Sequence, residues 1–199
     1  MAETRFVYTR VLLVPGWKGS YSGHWQGDWA GKHPEFECVQ QGDWRSTNAE
    51  EWVTSLHDAV ISSPSPTILV AHSLGCTTIA WWAHRYRQYA DRVSAALLAA
   101  PPDHELAQHP EPLPSFPLPP RKALPFPSVL VGSENDPYMS LGTAWRWAED
   151  WGSHFINAGP VGHLNTASGF GPWPRGEKLL DKLTSWSNAF LGREPHRAA

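Results

Sequence analysis

The chain has 199 residues, a formal net charge of -3 and a pI near 6.3, which suits one domain whose core folds without covalent cross-links. The slight acidity argues against nucleic acid or an anionic membrane surface as the main partner, because both require basic patches. Residues 1–10 contain no apolar targeting segment, and no run approaches the roughly eighteen apolar residues that span a bilayer. We therefore expect a soluble, cytoplasmic, single-domain protein in which residues 192–199 form a frayed tail.

Apolar runs alternate along the chain with segments of helical periodicity. The predicted strands are residues 10–14, 35–41, 67–71, 93–99, 128–132 and 154–157. The predicted helices are residues 23–32, 48–61 with Asn48 as the cap, 75–89, 141–151 and 176–191. Nearly continuous hydrophobic strands separated by helices indicate an α/β fold, with about six mostly parallel strands and helices on both faces.

The segment 101–127 interrupts this alternation. It contains ten of the nineteen prolines, so it is neither a regular helix nor a central strand. Only about twenty-five residues separate the flanking strands, which leaves little chain for a lid domain.

The two cysteines are read as reduced core residues. Cys38 falls in a predicted strand and Cys76 in the turn after a serine, without the Cys-x-x-Cys or Cys/His clustering of a zinc site. We predict neither a disulfide nor a metal site.

Ser73 is the candidate nucleophile. It ends an apolar strand and precedes an amphipathic helix, a sharp turn that pushes the hydroxyl clear of the sheet. The turn requires small residues two positions before and after the serine, and Ala71 and Gly75 supply them, although the usual pattern has glycine on both sides. The competing interpretation is a serine that merely caps the helix.

A nucleophilic serine requires a histidine base held by a carboxylate, in the chain order serine, acid, histidine. His154, His163 and His196 lie late enough, and His163 is favoured because His154 opens a strand and His196 lies in the tail. For the acid, the loop after the fifth strand offers Glu134 and Asp136, and Asp103 follows the fourth strand. Asp136 is favoured because the loop must travel outward before it turns back to the imidazole.

Other residues are assigned around Ser73. The backbone N–H groups of Leu74 and Trp17 are the predicted oxyanion donors, since one follows the nucleophile and the other lies in the loop after the first strand. Most of the twelve tryptophans are expected in the core, but Trp17 and Trp173 are candidates for the substrate pocket. His72 points elsewhere in such a turn and is read as structural.

Short motifs in one order along the chain resemble those of the small α/β-hydrolases related to retinoblastoma-binding protein nine, the YdeN-like serine hydrolases. They are Pro15-Gly16, His24-Trp25, Asp43-Trp44, Ala71-His72-Ser73-Leu74-Gly75, Ala100-Pro101-Pro102-Asp103, Leu124-Pro125-Phe126-Pro127-Ser128, Asn135-Asp136-Pro137, Gly162-His163-Leu164-Asn165, Ser168-Gly169 and Gly171-Pro172-Trp173-Pro174. The resemblance covers residues 11–180. It implies a compact fold without a lid domain, a triad of Ser73, Asp136 and His163, and ester or amide hydrolysis with no metal or organic cofactor. The Leu-x-Cys-x-Glu signature of retinoblastoma pocket binding is missing, because Thr77-Thr78 follows Cys76.

The sequence thus predicts a serine hydrolase that cleaves small esters or amides through an acyl-enzyme, resembling a carboxylesterase. An aminopeptidase-like amide hydrolase is the alternative, and the oligomeric state is open. A third possibility is a binding module that retains the fold, because residues 117–122 (Pro-Leu-Pro-Pro-Arg-Lys) match a ligand for SH3-type domains. We favour a stiff loop for that segment.

Overall fold

A computed structural model describes residues 10–20, 23–46, 48–106 and 116–191, with side chains up to residue 186. Its centre is an open sheet of six strands in the order β2-β1-β3-β4-β5-β6, and all five pairings are parallel. The strands are β1 Arg10–Val14, β2 Phe36–Cys38, β3 Thr67–His72, β4 Val93–Ala99, β5 Ser128–Gly132 and β6 His154–Asn157. Because every strand runs the same way, their carboxyl ends share one edge of the sheet.

Five helices cover the two faces of this sheet. They are α1 Trp25–Lys32, α2 Ala49–Ile61, α3 Leu74–Arg85, α4 Leu141–Trp151 and α5 Pro174–Leu191. Apolar side chains of α2, α3 and α4 pack on one face, and those of α1 and α5 pack on the other. Alternate strand residues enter the two cores, as the period of two requires, so the predicted α/β fold is confirmed. Within the described ranges, no helix combines the length and the apolar character needed to cross a membrane.

Four of the six predicted strands have the same first and last residues in the structure. The other predicted elements differ from the structure for local reasons. The second strand is shorter than expected, since only residues 36–38 pair at the edge of the sheet. The third helix ends at Arg85 rather than near residue 89, and a 3-10 turn continues over Arg87–Arg92. Tyr86 leaves the helical conformation there, and its ring stacks on His57 of α2 with the centroids 3.8 Å apart. Cys76 lies in the first turn of α3, not in the turn before it.

Residues 116–127 of the proline-rich segment lie across α3 and α4. Trp81 Nε1 donates to the Pro117 carbonyl at 3.2 Å, and Trp151 Nε1 donates to the Pro120 carbonyl at 2.9 Å. Arg121 forms an ion pair with Asp150. These contacts hold the segment against the domain, which supports its interpretation as a stiff loop.

Gly75 allows the backbone of β1 to pass directly beside the turn at Ser73. A Cβ atom on Gly75 would lie 2.2 Å from the Val14 carbonyl oxygen and 2.9 Å from that of Pro15. Both contacts are shorter than atoms tolerate, and both neighbours are backbone atoms that cannot rotate away. The small residue that the sequence pattern demands is therefore required by the passing strand.

We predict that Gly75→Ala lowers the free energy of unfolding by about 2 kcal/mol or more, because β1 must move to make room for the methyl group. Gly142→Ala in α4 is the matched control, since no atom lies within 4 Å of its added Cβ. That control should be neutral or stabilising by up to about 1 kcal/mol. Urea denaturation of both variants measures the difference, and equal effects would contradict the assignment.

Candidate active site

Ser73 occupies a strained turn between β3 and α3. Its φ of 52° and ψ of −123° fall in a region that non-glycine residues rarely adopt. Its N–H donates to the Ala99 carbonyl at 2.9 Å, which fixes the turn to the end of β4. The Ser73 side chain makes no capping hydrogen bond to α3, so the alternative of a simple cap does not describe it. The turn therefore leaves the hydroxyl available for other partners.

His163 lies between Ser73 and a carboxylate. Its Nε2 is 2.9 Å from Ser73 Oγ, and its Nδ1 is 2.9 Å from each carboxylate oxygen of Asp136. Because an ionised carboxylate only accepts hydrogen bonds, Nδ1 carries the proton and Nε2 accepts from the Ser73 hydroxyl. Only 5% of the His163 side chain and 1% of the Asp136 side chain are exposed, so water does not compete for these contacts. The arrangement can withdraw a proton from Ser73.

Of the three candidate acids, the structure brings only Asp136 to His163. Glu134 instead accepts a hydrogen bond from Asn157 Nδ2 at 2.8 Å. Asp103 accepts from the Glu105 N–H at 3.0 Å. Asp136 also accepts from the Tyr138 N–H at 2.9 Å, which orients the carboxylate toward the imidazole.

The other two candidate histidines do not take the base position. His154 is exposed and begins β6, and its strand leads to the loop of His163 at the opposite end. His196 lies outside the described residues.

Hydrogen bonds that sequence reasoning missed hold the loop of His163. The His163 N–H donates to Ser168 Oγ at 3.0 Å, and Ser168 Oγ donates to Asn165 Oδ1 at 2.8 Å. Asn135 Oδ1 accepts from the Gly162 N–H at 2.6 Å. Asn165 caps the 3-10 turn Thr166–Ser168, and the Asn-x-x-Ser spacing was a sequence signal for that cap.

His72 also contacts the loop of His163, through a hydrogen bond to its backbone. Its Nε2 lies 2.8 Å from the His163 carbonyl oxygen, and since a carbonyl only accepts, Nε2 carries the proton. Burial, with smaller contributions from His24 and His163, lowers the pKa of His72 well below its ordinary value. His72 is thus a neutral donor, in agreement with its structural interpretation.

A cavity of about 290 Å³ opens in front of Ser73 and His163. Its other walls include Trp17, Lys18, His24, Tyr138, Asn165 and Ala167. No aspartate or glutamate of the described ranges lines this space.

Of the two tryptophans proposed for the substrate pocket, Trp17 lines this cavity and Trp173 does not. Only 5% of Trp173 is exposed, and its ring packs against Trp25 at 4.9 Å and Trp29 at 5.9 Å between centroids. The structure therefore places Trp173 outside the cavity at Ser73. The apolar area of the ring is used in the core beneath α1 and α5, where burial is most favourable.

The two predicted oxyanion donors belong to segments next to Ser73. Leu74 is the first residue of α3, where backbone N–H groups have no partner within the helix. Trp17 follows Gly16, and a Cβ atom on Gly16 would lie 2.8 Å from Ser73 Cβ. Among the residues described, no group of three or more His, Cys, Asp or Glu side chains is arranged to hold a metal ion.

His24 also lines the cavity, although the sequence analysis gave it no role beyond its place in the His24-Trp25 motif. It caps α1, because its Nδ1 accepts the Gln26 N–H at 3.2 Å. Burial, followed by the effect of His163, lowers the pKa of His24 from 6.5 to about 4. Histidine is not among the preferred capping residues, so no sequence rule indicated this role.

We predict that acid destabilises the fold through the buried imidazoles. An unfolded His24 binds a proton below its ordinary pKa of 6.5, whereas the folded side chain resists protonation down to about 4. The unfolded state therefore binds more protons across this window, and the free energy of unfolding falls as the pH falls. His24 alone should remove about 2 kcal/mol between about pH 7 and about pH 5.

Urea denaturation at the two pH values measures this loss. His24→Asn keeps a capping oxygen but lacks the titrating group, so its stability should depend less on pH. An identical pH dependence in the variant and the wild type would show that His24 is not responsible.

Comparisons with known proteins place this chain in a family. A family model described as serine hydrolase matches residues 11–182. A putative YdeN-like hydrolase from Pectobacterium atrosepticum is similar, with 27% identity, a TM-score of 0.78, and coverage of 90% of this chain and 92% of that one. No curated protein matches the sequence.

Two further solved structures share the fold. The ydeN gene product of Bacillus subtilis has 16% identity and a TM-score of 0.66, over 89% of this chain and 99% of that one. The RedJ thioesterase of Streptomyces coelicolor has 15% identity and a TM-score of 0.61, over 89% of each chain. The resemblance noted in the sequence is confirmed, and this chain is an enzyme that belongs to the YdeN-like serine hydrolase family.

Proposed function

We propose that this enzyme hydrolyses small carboxylic esters by acyl transfer, with Ser73 as nucleophile, His163 as general base and acid, and Asp136 as the group that orients His163. The observation that carries the proposal is the continuous line of hydrogen bonds, 2.9 Å at each step, from Ser73 Oγ through the His163 ring to Asp136. Three side chains from three loops meet there in the geometry that activates a serine hydroxyl.

The chemistry follows from the tautomer of His163. Nε2 takes the Ser73 proton while Oγ bonds to the substrate carbonyl carbon, and Asp136 stabilises the resulting imidazolium. Nε2 then returns the proton to the leaving alcohol as the carbon–oxygen bond breaks and an acyl-serine forms. A water molecule repeats the sequence, which releases the carboxylic acid and restores Ser73.

The developing negative charge on the carbonyl oxygen requires donors that are already in place. The backbone N–H groups of Leu74 and Trp17 are the proposed pair, which the position of Leu74 at the start of α3 supports. The N-terminus of α3 adds a favourable dipole at the same place.

The cavity supports small substrates and favours esters over free-amine peptides. A volume of about 290 Å³ matches a short acyl chain. An aminopeptidase requires an anionic partner for the substrate ammonium group, yet the charged side chain in the described lining is Lys18. The Asp136 carboxylate is buried against His163.

We predict that a fluorophosphonate probe labels the folded wild type and not Ser73→Ala.

Asp136→Asn should lower kcat by about 10⁴-fold, because the amide no longer stabilises the required His163 tautomer and its charged form. Initial rates with p-nitrophenyl acetate measure this loss. Glu134→Gln is the matched control, since Glu134 pairs with Asn157 and should be dispensable for rate. A labelled Ser73→Ala variant would contradict the assignment of the nucleophile.

We also predict that kcat/KM for p-nitrophenyl esters falls as the acyl chain lengthens beyond butyryl, because a cavity of about 290 Å³ encloses a short chain and leaves a longer one in solvent. A series from acetate to decanoate measures the trend at fixed enzyme concentration. Faster hydrolysis of the decanoate would contradict the proposed substrate size.

A further inference from the structure

A second cavity, of about 690 Å³, lies between the end of β6 and α5, and we call it the α5 cleft. It shares no lining residue with the cavity at Ser73. Helix α5 packs mainly against β4, with Leu180 and Leu183 buried in the core. The same face of the sheet is therefore covered less at β6, where Ile156 is only partly buried.

The floor of the α5 cleft is apolar. It includes the ring of Trp173 and side chains from two strands, the loop of His163 and α5 itself, namely Val131, Ile156, Ala158, Val161, Phe170 and Leu179. Several of these side chains are partly exposed, so the cleft offers apolar surface to a ligand. A concave, mostly apolar space of several hundred Å³ is typical of small-molecule sites.

Three cations border this floor on one side. Arg175, Lys178 and Lys182 are spaced three and four residues apart, which places them on one face of α5. All three are exposed, and none forms an ion pair with another residue that the structure describes. Neither acid of α5, Glu177 or Asp181, lines the cleft. The positive charge along the apolar floor is therefore uncompensated by the described lining.

This arrangement of charge does not help α5 to form. Like charges three or four residues apart on a helix repel each other. Arg175 also lies in the first turn, where the helix dipole favours a negative charge. An anion held beside these side chains would turn both unfavourable effects into favourable ones.

We propose that the α5 cleft binds a free carboxylic acid with a straight apolar chain of medium length, the chain on the floor and the carboxylate beside Lys178 and Lys182. An uncharged chain would leave the cations unused, and a small inorganic anion would leave the floor uncovered. Residues 192–199 carry two arginines and one glutamate, so their charge is poorly matched to this cleft. The proposal goes beyond ester hydrolysis at Ser73 and does not depend on it.

Calorimetric titration of the whole chain with three compounds tests both parts of the ligand. Decanoate should bind, because it combines a carboxylate with an apolar chain. Acetate has the same charge but almost no apolar area to bury, so it should give no measurable binding. Decyltrimethylammonium has the same chain and the opposite charge, and it should bind at least about tenfold more weakly than decanoate.

Two double variants with the same change in net charge locate the binding. Lys178→Gln with Lys182→Gln should weaken decanoate binding by about two- to thirtyfold, the range for two exposed charge pairs. Lys122→Gln with Arg146→Gln is the matched control, because both residues are exposed and lie outside the cleft. The control should bind decanoate as the wild type does.

Three results would overturn the proposal. An equal loss in both double variants would show only an effect of net charge. Decanoate binding that persists in Lys178→Gln with Lys182→Gln and competes with p-nitrophenyl acetate would place the ligand at Ser73 instead. Binding of phosphatidylglycerol vesicles through these two lysines, without binding of decanoate, would identify a membrane contact in place of a small-molecule site.

Discussion

The close passage of β1 beside the turn at Ser73 is the constraint on which the site depends. Gly75 lies so near the Val14 carbonyl that even a methyl group has no room, and a Cβ atom on Gly16 would lie 2.8 Å from the Ser73 side chain. This packing holds Ser73 at a φ of 52°, which a free chain would not maintain. The strain is thus balanced by the strands on both sides, and it places the hydroxyl at the carboxyl edge of the sheet.

The first turn of α1 joins the loops that meet at this edge, although it is distant from them in sequence. Trp25 Nε1 donates to the Leu164 carbonyl at 3.0 Å, beside the candidate base. Gln26 Nε2 donates to the Val70 carbonyl at 3.0 Å, at the end of β3. With His24 as its cap, α1 contacts β3, the loop of His163 and the cavity. A displacement of this helix would therefore disturb all three.

Three neighbouring histidine side chains, His24, His72 and His163, differ in burial and in hydrogen-bond partners. His72 and His24 are buried, and burial keeps both neutral over the range in which an exposed histidine titrates. Of these three, His163 is the one hydrogen-bonded to a carboxylate. The carboxylate therefore distinguishes His163 from its two neighbours, which are uncharged hydrogen-bonding groups.

The sequence by itself determined the strands and the tight turn at Ser73, because both depend on local patterns. Continuous apolar residues define strands such as Val93–Ala99, and small neighbours mark Ser73 as the residue of a tight turn. The tertiary structure decided which of several loop acids faces His163, since sequence spacing does not fix where a loop returns. It also placed Trp173 in the core and His24 at the cavity, because those positions depend on how α1 and α5 pack on the sheet, which no local pattern encodes.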